Sequence, residues 1–155
     1  MSDEREDYAR QENELDDLYQ DIILDHYRHP RHKGELSAPT ACEEGYNPLC
    51  GDEILVDIEV TDGVVSDIAQ RGSGCSISQS SASMMSEAIV GEKIADVKGL
   101  IESFTAMMRG SDDVDWDELG DLEAMAGVRK FPVRVKCATL AWHTLSQAIE
   151  KAKFA

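Results

Sequence analysis

Three cysteines and one aspartate, far apart in the chain, suit metal binding and thiol chemistry: Cys50, Asp52, Cys75 and Cys137. Three thiolates and a carboxylate form a donor set for tetrahedral Zn²⁺. Their separation along the sequence excludes a local zinc finger, so the fold must bring them together. Because sites assembled in this way more often perform chemistry than fasten a loop, we expect a functional centre.

The neighbours of the four residues indicate how each is positioned. Cys75 is predicted to precede one helix and Cys137 to begin another, and the field at a helix N-terminus favours thiolate over thiol. Cys50 lies beside Gly51 in a predicted tight turn that presents its sulfur outward. Asp52, two residues further on, is able to ligate the same ion or to orient a thiol.

The predicted centre carries an excess of negative charge, because three thiolates and a carboxylate outweigh one Zn²⁺ ion. A partly buried site with such an excess needs compensation. Arg134 and Lys136, close to Cys137, are the candidates for that role. The alternative is that both are ordinary solvated charges.

Length and composition indicate a single folded domain. A chain of 155 residues buries a sufficient core without disulfides. Its four cysteines therefore favour metal or catalytic thiols over a disulfide framework. There is neither an apolar run of the roughly 18 residues that span a bilayer nor a secretory signal, so we expect a cytoplasmic protein that does not bind membranes. Residues 1–13 are expected to be a disordered acidic tail and 14–155 one domain.

The charge of the chain argues against nucleic-acid binding. Acidic residues outnumber basic ones by 31 to 15, for a net charge of −16. Such a surface repels phosphate backbones. The acidic residues concentrate in 3–17 and 112–123, whereas Arg and Lys gather around 28–33 and 129–136.

The first predicted helix runs from Leu15 to Tyr27 and stops before Pro30. Three histidines lie at its end: His26, His29 and His32. Either they form a metal site or they belong to a basic helix end or docking surface.

The remaining pattern predicts strands followed by helices, which is typical of an α+β fold. Residues 53–60 and 64–71 are expected to form a hairpin around Thr61-Asp62-Gly63, with a short strand possible near Thr40–Glu43. Helices are predicted over 76–90 and 93–108, then one short helix within the acidic loop 111–127. A last helix is expected from Cys137 to Lys151.

Three segments resemble the U-type iron–sulfur cluster assembly proteins, specifically the SufU branch: NPLCGD, GSGCSISQSSASMM and VRVKCATLAWHTL. The resemblance covers the chain from about Leu18 to Ile149. It implies a NifU/SufE-like α+β sandwich, in which about five helices cover a small three-stranded antiparallel sheet. It also implies that Zn²⁺ is bound by the four residues named first, Cys50, Asp52, Cys75 and Cys137.

The resemblance further implies a function in sulfur transfer. The thiol that matches Cys50 accepts persulfide sulfur from a SufS-like cysteine desulfurase, for a downstream scaffold such as one of the SufBCD type. The related IscU scaffolds carry a histidine immediately before the last cysteine, where this chain has Lys136. Because a lysine keeps its proton at neutral pH and is a poor ligand, zinc-dependent sulfur transfer is favoured. The alternative is a scaffold on which a transient [2Fe–2S] cluster is assembled.

The fourth cysteine, Cys42, lies outside these three segments. It is either a resolving thiol for a persulfide on Cys50 or a structural cysteine.

Two different classes of zinc protein are alternatives to the sulfur carrier. A zinc deaminase would need an H-x-E…P-C-x-x-C signature, which the sequence lacks. A purely structural zinc module would make Cys50 dispensable for sulfur chemistry.

Overall fold

The computed structural model describes residues 19–153, in which a three-stranded antiparallel sheet is followed by helices. The predicted α+β class, the small sheet and the five helices are confirmed. The expected boundary between a tail and a domain at residue 13, and the start of the first helix at Leu15, lie outside the described residues. The elements are α1 (19–28), β1 (Ala41–Asn47), β2 (Asp52–Thr61), β3 (Val64–Ser73), α2 (Ser76–Ile89), α3 (Ile94–Met108), α4 (Trp116–Leu119), a 3-10 segment (Gly120–Lys130) and α5 (Pro132–Ala152).

The hairpin between β2 and β3 is the predicted one, and its turn explains its register. Asp62 and Gly63 both have positive φ angles, 52° and 76°. Two successive residues of this kind match the right-handed twist of paired strands. The third strand, β1, is longer than predicted and pairs with β2, so that Asn47 lies opposite Asp52 at one end of the sheet.

The core forms where α5 packs against the sheet and α2. Trp142 of α5 is fully buried and stacks on Phe104 of α3, with ring centroids 4.4 Å apart. Serines dominate the buried face of α2, and the hydroxyl of each buried serine finds a hydrogen-bond partner. Ser81, for example, donates to the carbonyl oxygen of Ala138 and accepts from the indole N–H of Trp142.

Two predicted elements differ from the structure. The helix α5 begins at Pro132 and not at Cys137, because proline suits the first helical position, where its missing N–H costs nothing. The second half of the predicted acidic loop is a 3-10 segment. Its large apolar residues continue from Leu119 of α4 at every third position, which is the period of a 3-10 helix, and all four are buried: Leu119, Leu122, Met125 and Val128. No helix of residues 19–153 has the length and apolar character needed to cross a membrane.

Candidate metal centre

One end of the sheet carries the first two site residues. Cys50 lies in the four-residue turn between β1 and β2, and Asp52 is the first residue of β2. Asn47 fixes this turn, because its carbonyl oxygen accepts from the N–H of Gly51 at 2.8 Å and its Oδ1 accepts from the N–H of Leu49 at 3.2 Å. The turn therefore holds Cys50 above the buried Asp52.

Helix α5 brings Cys137 to the same place. The Cys137 Sγ lies 3.2 Å from the Cys50 Sγ and 3.8 Å from the Asn47 Nδ2. Ligand atoms of Cys50, Asp52 and Cys137 all lie within 4.8 Å of one another. Residues that are 87 positions apart in the chain thus meet at one point.

Cys75 approaches from the start of α2, where it is the N-cap residue, as the sequence predicts. Its backbone N–H donates to Asp52 Oδ1 at 2.9 Å, and its Sγ lies 3.9 Å from Asp52 Oδ2. Gly74 is required next to it, because a side chain at that position would collide with Asp52 and Ser78. Cys75 is not among the three residues whose ligand atoms lie mutually close, so its side chain must rotate to join them.

The chemistry and spacing of these side chains fit a tetrahedral zinc ion. Zinc–thiolate bonds of about 2.3 Å imply sulfur atoms about 3.8 Å apart in a tetrahedral site. The Cys50 and Cys137 sulfurs are 3.2 Å apart, and no two ligand atoms of Cys50, Asp52 and Cys137 are more than 4.8 Å apart, so these distances lie close to that value. Small side-chain adjustments would therefore be enough to bind an ion.

Asp52 is held in its charged form. Burial alone would raise the pKa of its carboxyl group, but hydrogen bonds outweigh that effect and the pKa lies below its ordinary value. The donors are the backbone N–H of Cys75 and the side chains of Cys137, Ser78 and Cys75. The site therefore contains a buried anion surrounded by thiols.

The position of Cys137 and the pKa of its thiol both differ from the sequence-based prediction. It lies within α5, more than one turn after Pro132, and is fully buried. Burial, followed by hydrogen bonds with Asp52, Cys50 and Cys75, raises the pKa of its thiol. The predicted lowering by a helix N-terminus is wrong for Cys137, which keeps its proton unless a cation compensates the thiolate.

The two predicted compensating cations differ in position. Interactions with Cys75, and then with Cys137, raise the pKa of Arg134, whose guanidinium group lies beside both side chains. Lys136 is exposed, and no hydrogen bond or ion pair between residues 19 and 153 joins it to the site. Arg134 is thus the positive charge close to the centre.

Cys42 lies too far away to be a partner for Cys50. It is five residues before Asn47 in β1, which corresponds to about 16 Å along the strand. A disulfide needs Cα atoms within about 7 Å, so Cys42 cannot pair with Cys50 in this fold. Its thiol lies beside Asp57, and a hydrogen bond with that carboxylate raises the pKa of Cys42.

The three histidines do not form a metal site. His26 is buried, and its Nδ1 is 2.8 Å from the hydroxyl of Ser83 in α2. Within residues 19–153, the one group of three or more potential ligands that lie close together is Cys50, Asp52 and Cys137.

The sequence did not predict the roles of Gly74 and Ser78 beside the centre. The motif GSGC before a helix was nevertheless a signal for a close approach of the backbone.

The comparisons with known proteins identify the family to which the chain belongs. Residues 18–138 match the family described as the NifU-like N-terminal domain. Since this match spans most of the chain, the protein is a member of that family. The resemblance to U-type iron–sulfur cluster assembly proteins is therefore confirmed.

Particular relatives are similar over nearly the whole chain. The zinc-dependent sulfurtransferase SufU of Bacillus subtilis is 44% identical, over 88% of this chain and 92% of that protein. The iron–sulfur cluster assembly scaffold protein IscU of Streptococcus pyogenes is 39% identical, over 90% of this chain and 87% of its own length. A proposed iron–sulfur cluster assembly scaffold for the SUF system of Fervidobacterium islandicum superposes with a TM-score of 0.80 at 31% identity, covering 83% of this chain and 93% of that one.

Proposed function

We propose that this protein is a zinc-dependent sulfur carrier, which accepts persulfide sulfur on Cys50 from a SufS-like cysteine desulfurase for iron–sulfur cluster assembly. The main support is the position of Cys50, whose sulfur lies 3.2 Å from that of Cys137 although the residue belongs to a turn. The relative from Bacillus subtilis, a zinc-dependent sulfurtransferase, supports the same assignment. A downstream scaffold of the SufBCD type would receive the sulfur.

Cys50 is the acceptor because it is the thiol that moves most easily. Cys137 is fully buried within α5, and the backbone of Cys75 is bound to Asp52. Cys50 is half-buried in a turn, so its side chain can swing outward without breaking a helix or a strand. The other two thiols keep the rest of the site in place meanwhile.

Four residues would bind the zinc ion: Cys50, Asp52, Cys75 and Cys137. When bound, Zn²⁺ keeps its cysteine ligands as thiolates and protects them from oxidation. Arg134 offsets part of the remaining negative charge, because its guanidinium group lies beside Cys75 and Cys137. Lys136 contributes a more distant positive charge.

The transfer step is a thiol–disulfide type exchange. The Cys50 thiolate attacks the terminal sulfur of the persulfide on the desulfurase, and a new Cys50 Sγ–S bond forms. The S–S bond of the donor breaks, and the donor cysteine leaves as a thiolate. The proton of the terminal sulfur stays on it, so the step needs no external oxidant or reductant.

The test is sulfide release by a cysteine desulfurase with and without this chain. Cys50→Ala should reduce stimulation to the level of the desulfurase alone, because the acceptor sulfur is missing. Cys42→Ala is the matched control and should stimulate like the wild type, since Cys42 is remote from the site. Full stimulation by Cys50→Ala would refute the acceptor role and favour a structural zinc module.

A scaffold function is the second candidate, and it has the support of the IscU relative from Streptococcus pyogenes. Three thiols and a carboxylate also suit iron, so anaerobic reconstitution is the discriminating experiment. A stable [2Fe–2S] absorption spectrum and cluster transfer to an apo-acceptor would favour the scaffold. The ammonium group of Lys136, which cannot ligate iron while protonated, favours the carrier.

A further inference from the structure

The exposed apolar side chains of the protein concentrate around the cysteines. Within residues 19–153, most of the large apolar side chains that stay exposed flank the site, and only Leu24 and Tyr27 lie elsewhere, on α1. Leu49 adjoins Cys50, and the Val133 carbonyl oxygen lies 3.8 Å from the Cys137 sulfur. Contiguous exposed apolar surface commonly marks a binding site. The flanking residues are Tyr46, Leu49, Phe131 and Val133.

An open pocket of about 380 Å³ continues this apolar surface. It lies between α1, α2, the 3-10 segment and the start of α5. Its lining is mainly aromatic and aliphatic, and much of it belongs to helices that are fixed by the core. Such a pocket is large enough to receive a bulky side chain. The apolar lining includes Tyr19, Ile23, Ile77, Val128 and Phe131.

The pocket adjoins the thiols directly. Ile77 follows Cys75 by two residues at the start of α2. Arg134 lines the pocket and also lies beside the sulfur of Cys75. A ligand in the pocket would therefore lie next to the site where Cys50 reacts.

The pocket carries positive charge, although the protein as a whole is strongly acidic. The chain has a net charge of −16, yet exposed Lys130 and Arg134 both line the pocket. A complementary partner presents an apolar side chain next to acidic groups. A second copy of this acidic chain is disfavoured by mutual repulsion.

We propose that this pocket anchors the cysteine desulfurase, by receiving a bulky apolar side chain from an acidic segment close to its persulfide. This inference rests on the proposed function, because it supposes that a desulfurase is the sulfur donor. The anchor holds the donor persulfide within reach of Cys50. Lys130 and Arg134 attract the acidic groups around the anchoring side chain.

Gly127 offers a way to block the pocket without disturbing the fold. It lines the pocket, is exposed, and an added Cβ would meet no atom within 4 Å. Gly127→Phe should raise the Kd for the desulfurase at least about tenfold, the usual effect of losing a central anchor. The concentration that half-saturates sulfide release should rise equally, whereas the rate at saturation stays unchanged because Cys50 is intact. Calorimetric titration and sulfide release measure the two quantities.

A second variant removes part of the lining instead of filling the pocket. Phe131→Ala should raise the Kd by about tenfold, and because Phe131 is 61% exposed its removal leaves the core intact. The control is Tyr27→Ala, another exposed aromatic residue, which does not line the pocket and should bind like the wild type. Lys130→Ala should weaken binding mainly at low salt, as expected for an acidic partner. Circular dichroism and thermal melting compare the folds of all variants.

The outcomes separate the two proposals. An unchanged Kd for folded Gly127→Phe and for Phe131→Ala would overturn the anchor, and Phe131→Ala decides alone if Gly127→Phe does not fold. The anchor proposal would also be overturned if the pocket variants lost self-association while their Kd for the desulfurase stayed unchanged. That result would assign the surface to contacts between copies of this chain. If Cys50→Ala keeps full stimulation, the acceptor proposal fails whatever the pocket variants do. If Cys50→Ala is inactive and the pocket variants bind normally, only the anchor fails.

Discussion

Two aspartates of strand β2, five residues apart, have opposite environments although both are buried. Asp57 forms an ion pair of 2.9 Å with Arg71 and accepts a hydrogen bond from the backbone N–H of Leu36. Asp52 accepts from the backbone N–H of Cys75, and its other donors are the Ser78 hydroxyl and the thiols of Cys137 and Cys75. No ion pair between residues 19 and 153 involves Asp52.

The difference shows how this fold separates a structural carboxylate from a ligand. The protein supplies a permanent cation to Asp57, so that its charge stabilises the sheet. At Asp52 the hydrogen bonds favour the charged form without neutralising it, and a buried uncompensated charge is costly. An added cation is what such a site lacks, and the thiols around Asp52 are the ligands that Zn²⁺ prefers.

The largest expected effect is on metal affinity at Asp52. Asp52→Ala should lower zinc affinity at least about 100-fold, because even residues that only support ligands change it by factors of 10 to 100. Asp57→Asn, its matched control in the same strand, should bind zinc like the wild type. Elemental analysis and chelator competition measure this difference. Equal affinities for both variants would remove the distinction between the two aspartates.

A smaller effect is expected on stability at Asp57. Arg71→Ala should lower the free energy of unfolding by about 2–3 kcal/mol, less than for a fully buried pair because Arg71 is partly exposed. Zinc affinity should not change. Removing the exposed ion pair between Lys153 and Glu150 by Lys153→Ala should cost much less, because solvent screens both charges. If urea denaturation gave equal losses for these two variants, the Asp57 pair would not be structural.

The smallest expected effect is on how the free energy of unfolding changes with pH under acidic conditions. Burial tends to raise the pKa of Asp57, but hydrogen bonds from Cys42, Leu36 and Arg71 and the charge of Arg71 lower it below its ordinary value. The unfolded chain therefore binds the proton first, and Asp57 contributes stability above pH about 4 that is lost as the pH falls through the lower folded pKa. Asp57→Asn should flatten this part of the curve. An unchanged slope in urea denaturation at a series of acidic pH values would contradict the assignment.

The sequence predicted local structure best where short-range chemistry decides it. The Asp62-Gly63 turn fixes the hairpin. The types of the cysteines and their neighbours predicted a set of candidate residues, of which the structure brings Cys50, Asp52 and Cys137 together. The start of α5 was missed because Val133 and Val135 alternate with the charged Arg134 and Lys136, as residues do in a strand. Phe131 and Val133 are in fact exposed, so this alternation does not reflect burial.

Long-range geometry was beyond the reach of sequence patterns. The separation of Cys42 from the site depends on how far β1 extends, and β1 is longer than the short strand that the sequence predicted. The depth of Cys137 within α5 likewise depends on where the helix begins. The 3-10 segment was concealed by its acidic residues, although its apolar spacing of three was visible.

The buried contact among Ser81, Ala138 and Trp142 also concerns the thiols. Ser81 belongs to α2, which begins next to Cys75, and the other two residues belong to α5, which carries Cys137. Because the Ser81 hydroxyl of α2 bonds to two residues of α5, the backbone segments that carry Cys75 and Cys137 are held in a common rigid frame. An arriving ion therefore has to order little more than the Cys75 side chain and the turn that bears Cys50, which keeps the entropic cost of capture low.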